Sequence, residues 1–121
     1  MKPLVYVAGP YTHPDPVINV HRACLVADRL DAHGCAVFVP HLSITWHLVS
    51  PQPDVNVWYR RDLDVLEHCD AVVRIAGESV GADAETDRAY VLGLPVFRLR
   101  SDNTFPPQLE AWLAQRTAVA S

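Results

Sequence analysis

The chain lacks the features on which several protein classes depend. Its three cysteines, Cys24, Cys35 and Cys69, are odd in number and irregularly spaced. That argues against a disulfide framework and predicts reduced, buried thiols in a cytoplasmic protein. There is no excess of positive charge: 10 Lys and Arg stand against 14 Asp and Glu, for a net charge of −4. A nucleic-acid polymer is therefore not an expected partner, because such partners call for a basic surface. No apolar run approaches the roughly 18 residues of a membrane span. Met1-Lys2-Pro3 leads directly into a strand-like run, so neither a signal peptide nor a membrane partner is expected. Internal repeats and low-complexity segments are also absent.

What is present is an ordinary globular balance. Half of the 121 residues are hydrophobic and 20% are charged, which fits one domain over residues 1–121 with a core of its own. Leu4 to Ala8 is a continuous apolar run that reads as a buried strand, closed by the turn Gly9-Pro10-Tyr11-Thr12. Asp15-Pro16 is a helix start. Val20, Ala23, Cys24, Ala27 and Leu30 then recur at helical spacing up to Gly34. Ala36 to Val39 predicts a second strand. Pro40 to Val57 predicts a long loop with at most a short helical turn; it carries His41, Ser43, Trp46 and His47, and its length and chemistry favour function.

A helix is predicted from about Val55 to His68, a third strand over Ala71 to Ala76, and a helix that ends at Gly93. Pro95 to Leu99 reads as the fourth strand and Pro106 to Arg116 as a terminal helix, with 117–121 a frayed tail. Apolar strands alternating with helices predict an α/β fold. Its form is a single-domain, three-layer parallel sheet of four to five strands, flavodoxin- or Rossmann-like, with helices on both faces. Ligands of such sheets bind at the carboxyl ends of the strands, beside a reversal in strand order. Three turns of suggestive chemistry meet there: Gly9 to Tyr11, the stretch after Pro40, and Ser79 to Glu85.

Two carboxylates stand out. Ser79-Val80-Gly81-Ala82-Asp83-Ala84-Glu85 joins an apolar strand to a helix, with small residues where a ligand would approach and unpaired N–H groups suited to an anion. Glu85 shares a stripe with Ala89 and Leu92, although an acid in a first turn also simply favours the helix dipole. Asp62 falls on the apolar face of its helix, between Trp58 and Leu66, whereas Asp64 does not. The alternative is local capping or pairing with the adjacent arginines. Two carboxylates flanking a glycosidic bond can split it, one ionised at the anomeric carbon and one protonating the leaving group. On this reading the helix N-terminus keeps Glu85 ionised and an apolar setting raises the pKa of Asp62. Tyr11, Trp46 and Trp58 are candidates to stack on a flat leaving base.

Four segments resemble the nucleoside 2-deoxyribosyltransferase superfamily: Val5-Tyr6-Val7-Ala8-Gly9-Pro10, Asp62-Leu63-x-x-Leu66-x-x-Cys69-Asp70-Ala71-Val72, Ser79-x-Gly81-x-x-x-Glu85, and Ala89-x-x-x-Gly93-x-Pro95-Val96. Together they span about Val5 to Phe97. The resemblance implies Glu85 as nucleophile, Asp62 as proton donor, and Tyr11 where the sugar or the nucleophile carboxylate is held. Asp70 would be structural. With the loop and aromatic residues singled out above, the candidate substrate-binding residues are Gly9, Pro10, His41, Ser43, Trp46, Trp58, Ser79, Gly81 and Ala82.

Serine at position 79, where transferases acting on free nucleosides carry an aspartate, is similar to the branch that hydrolyses nucleoside 5′-monophosphates. Gly9-Pro10 keeps the form of the transferase branch. The expected activity is cleavage or transfer of the N-glycosidic bond of a nucleoside or 2′-deoxynucleoside 5′-monophosphate. The alternatives are a deoxyribosyltransferase on free nucleosides or a non-catalytic nucleotide-binding module. No cofactor is expected. No metal is expected either, since His41 and His47 lack the spacing of a helical metal pair. The resemblance further implies a homo-oligomer, for which Trp112 and Leu113 are candidate contacts.

Overall fold

The computed structural model describes residues 1–120. Leu4–Ala8 (β1), Ala36–Phe38 (β2), Ala71–Arg74 (β3) and Val96–Arg98 (β4) form one sheet in the order β2-β1-β3-β4, every neighbouring pair parallel. Five helices accompany them: Pro16–Ala32 (α1), Ser43–Val49 (α2), Asn56–Leu66 (α3), Val80–Val91 (α4) and Pro107–Ala120 (α5). This is the three-layer α/β architecture that the apolar strands predicted. No helix among the described residues is long and apolar enough to cross a membrane.

Because side chains alternate along a strand, each strand feeds two cores. Val5 and Val7 of β1 and Val73 of β3 pack with Ala23, Val26 and Leu30 of α1 and with Leu109 and Leu113 of α5. Tyr6, Ala8 and Val72 point the other way, against Leu66 of α3 and Ala82 and Ala89 of α4. β1 and β3 are the central strands and are almost wholly buried. The strand order reverses between them, so their carboxyl ends open onto a crevice.

Local chemistry sets the helix boundaries. The Asp15 carboxylate caps α1 by accepting from the N–H groups of Val17 and Ile18 at 2.8 and 3.3 Å, and Gly34 leaves the helix at φ +91°. Ser79 caps α4, its Oγ accepting from the Ala82 N–H at 3.1 Å. Asp70 closes the start of β1 by accepting from Leu4 N–H at 2.8 Å, and it also meets Arg116 at 3.3 Å.

Two expectations are corrected. The stretch from Pro40 to Val57 is largely helical: a 3-10 turn over Pro40–Leu42 runs into α2. α2 buries none of its residues and has no side-chain cap, so it carried neither of the usual helix signals. The terminal helix spans Pro107–Ala120; residue 121 lies outside the described residues. Finally, Leu113 is fully buried in the core and Trp112 packs on Phe97 at 5.7 Å between ring centroids. Leu113 is therefore used within the chain, while Trp112 stays half-buried beside Phe97.

The loops after β1 and β3 touch through Gly77. Its φ is +126°, and a β-carbon there would lie 2.8 Å from Pro10 Cγ. Gly77→Ala is therefore expected to cost on the order of 2 kcal/mol, from backbone strain and from pushing the two loops apart. Urea unfolding at neutral pH checks this; an unchanged midpoint would contradict the close approach.

Candidate active site

A cleft of about 540 Å³ opens at the carboxyl ends of β1 and β3. Each element contributes a wall. The β1–α1 turn supplies Gly9, Tyr11 and Thr12; the 3-10 turn and α2 supply Pro40, His41, Ser43, Ile44 and His47. Val55, Trp58, Tyr59 and Asp62 come from the start and inner face of α3, and Ser79, Gly81, Ala82 and Glu85 from the head of α4. Glu85 and Asp62, on different helices, thus face one space. Trp46 and Pro10 do not line it.

Glu85 is 7% exposed and its carboxylate accepts from the phenol of Tyr6, which is itself fully buried in β1. Burial pushes the Glu85 pKa up to about 8. The expectation that the helix N-terminus holds it in the normal ionised range is therefore corrected: loss of hydration outweighs the dipole. The Tyr6 hydrogen bond and the head of α4 remain as groups that favour the charged form. Burial also raises the Asp62 pKa, to about 7, in line with its place on the apolar side of α3. Asp64, by contrast, is exposed.

The partner of the Glu85 carboxylate is Tyr6 rather than Tyr11. Tyr11 lines the cleft with its ring centroid 6.2 Å from that of His41. Sequence reading took Tyr6 as one more apolar strand residue. The available signal was its parity with Ala8, which puts it on the α4 side of the sheet.

The loop after β1 is held by buried polar groups. Asn19 Nδ2 donates to the carbonyls of Tyr11 and His13 at 3.0 and 2.9 Å. His41 Nε2 meets the Pro10 carbonyl at 3.0 Å, so Pro10 anchors the turn from behind the cleft. His41 is 5% exposed, its Nδ1 has no partner, and burial lowers its pKa. Arg74, buried at the end of β3, donates to the carbonyls of Ile75 and Gly77 and reaches Asp83 at 3.1 Å. The β3–α4 turn is thereby clamped, and the charge of Asp83 beside the cleft is paired.

Ser79 Oγ already takes the Ala82 N–H. The backbone donors left at the head of α4 are those of Val80 and Gly81, which sit before the first intrahelical bond. A β-carbon at Gly81 would meet nothing within 4 Å, so space rather than close backbone packing surrounds that residue. Trp46 stands behind the cleft wall. Its ring meets Trp58 edge-on at 4.8 Å, and the Arg61 guanidinium lies 4.4 Å from it and 4.8 Å from the Trp58 ring. Trp58 lines the cleft; Trp46 supports it. Among the described residues, no group of three or more His, Cys, Asp or Glu is placed to hold a metal ion.

No protein-family model and no curated protein matches the chain. Solved structures do. A 2-deoxyribosyltransferase from Bacillus psychrosaccharolyticus superposes with a TM-score of 0.57 at 23% identity, covering 79% of this chain and 71% of that one. A 2-desoxiribosyltransferase from Leishmania mexicana gives 0.56 at 17% identity, covering 80% and 63%. A conserved protein from Enterococcus faecalis V583 gives 0.71 at 17% identity, covering 99% and 77%. The chain has the fold of the 2-deoxyribosyltransferases, as its motifs implied.

A carboxyl whose folded pKa lies above its unfolded value binds a proton more tightly when folded. Its contribution is complete below about pH 4.5 and is lost as pH rises through about 8. Glu85→Gln removes that loss. The variant is expected to be more stable than the parent at pH 8.5, by on the order of 2–4 kcal/mol, and level with it near pH 5. Thermal melts across that range check the sign; a variant less stable at pH 8.5 would contradict the buried carboxyl.

Proposed function

We propose that the chain cleaves the N-glycosidic bond of a nucleoside or 2′-deoxynucleoside 5′-monophosphate. Glu85 is the nucleophile at C1′ and Asp62 the acid that protonates the departing base. The observation that carries this reading is the convergence of two desolvated carboxyls, from α3 and α4, on one cleft at the reversal in strand order. Glu85 needs its charge to attack. A positively charged sugar developing against it would stabilise that charge, and Tyr6 holds the carboxylate in place. Asp62, raised to about 7, is about half protonated at neutral pH. The productive form has the proton on Asp62 and the charge on Glu85, the reverse of their resting order. Trp58 and Tyr59 offer ring faces to the base.

The monophosphate is favoured by the head of α4. Ser79 and the free N–H groups of Val80 and Gly81 offer donors, and Arg74 offsets the charge of Asp83. Water or a second base then takes the sugar from Glu85. The transferase outcome draws support from the printed names of two structural neighbours. Exposed Leu48, Val49 and Val55 beside the cleft support the homo-oligomer implied by the resemblance.

Incubating the protein with each deoxynucleotide, with and without a second base, and resolving the products by chromatography tests the reaction and its acceptor. Glu85→Ala is expected to lower base release at least a thousandfold, on the order of what loss of a covalent nucleophile costs. Micromolar binding of a nucleotide without any turnover would instead mark a binding module. The dependence of kcat/KM on pH is expected to be bell-shaped, with limbs near 7 and 8 that belong to the pair. In Asp62→Asn the weak remaining activity should rise through about pH 8 and no longer fall beyond it. A retained alkaline limb would remove Asp62 as the acid.

A further inference from the structure

α2 brings into the cleft a side chain that the proposed chemistry does not use. His47 Nδ1 lies 2.9 Å from Trp58 Nε1 and 3.3 Å from the Gln52 backbone nitrogen. An indole N–H and a backbone N–H can only donate. Nδ1 must therefore accept, and the neutral imidazole carries its proton on Nε2. That Nε2–H has no partner among the described residues, on a ring that lines the cleft with Trp58 and Asp62.

His41 has the reverse polarity. Its Nε2 faces a carbonyl, which only accepts, so Nε2 is protonated and the buried, unpartnered Nδ1 is a bare acceptor. That Nδ1 is closed off from the cleft, so the imidazole group open to a ligand is the Nε2–H of His47. Trp58 is fixed in turn: its ring is held edge-on by Trp46, with Arg61 over both rings.

Resting on the nucleotide reading above, we propose that His47 is a specificity-determining residue. It donates Nε2–H to a hydrogen-bond acceptor on the ring edge of the leaving base, and Trp58 is the positioning residue that fixes this tautomer. With the sugar at Glu85 and its 5′ end at the head of α4, the base extends toward Asp62 and the α2 wall. The ligand that satisfies His47 carries a hydrogen-bond acceptor on its ring edge, as the natural nucleobases do. A plain aromatic of the same outline does not.

The test pairs the natural deoxynucleotide that is released fastest with an analogue stripped of those edge groups. The analogue for a purine is a benzimidazole nucleotide, which keeps only the five-membered ring's nitrogens. For a pyrimidine it is a pyridin-2-one nucleotide, which loses N3 and the 4-substituent and keeps only the carbonyl beside the glycosidic nitrogen. The wild type is expected to favour the natural base by about tenfold or more in kcat/KM, the scale of one or two hydrogen bonds. His47→Phe should bring the two substrates to within about twofold by slowing the natural one. His47→Gln, which keeps an amide N–H, should retain part of the preference. Nitrogen-15 spectra of histidine-labelled wild type should show the Nε2–H tautomer at His47, and Trp58→Phe, left with only the longer Gln52 contact, a smaller share of it.

An Nδ1–H tautomer in the wild type would overturn the proposal, as would equal slowing of both substrates by His47→Phe. Base release with no preference for the natural base overturns this inference alone. No base release from any nucleotide overturns the glycosidic reading, and this inference with it.

Discussion

The arrangement depends on one desolvated carboxyl. Glu85 sits on the buried side of α4 with Tyr6 as its hydrogen-bond partner, in a place where an uncompensated charge is costly. Ala82 and Ala89 on the same side of α4 are small enough to bring the helix down onto Tyr6, Ala8 and Val72. That close packing both removes water from the carboxyl and delivers it to the carboxyl ends of the central strands. The same contact therefore sets the position of the group and its raised pKa.

The cleft walls are built in two different ways. The β3–α4 side is clamped by a buried arginine that ties Ile75, Gly77 and Asp83 together, with Ser79 capping the helix. The opposite side is a stack of rings. α2 buries no residue and is held through Trp46, His47, Trp58 and the guanidinium of Arg61. The clamped wall carries the buried carboxyl of Glu85. A wall of rings and imidazoles offers what a flat heterocycle would pair with and stack on.

The likeness to 2-deoxyribosyltransferases at 17–23% identity is a likeness of fold, and fold alone does not carry an activity. What adds to it is chemistry in this chain: two acids with raised pKa values in one cleft, ring faces beside one of them, and backbone donors beside the other.

The sequence by itself determined the parallel sheet, the cap at Asp15, and the two acids that share the cleft, because all of these are encoded locally. Continuous apolar runs mark central strands, short polar side chains mark helix starts, and helical phase separates Asp62 from Asp64. Tertiary structure alone decided the rest. Tyr6 reaches Glu85 across 79 positions, and nothing near either residue in the chain signals the pairing. α2 has no buried stripe and no side-chain cap, so its local sequence carries little helix signal and its ring contacts with α3 help to place it. Trp46 and Pro10 had the right chemistry for the cleft but were turned away from it by packing. The Glu85 pKa followed the same logic: helix position, which is local, favoured the charge, and burial, which is not, outweighed it.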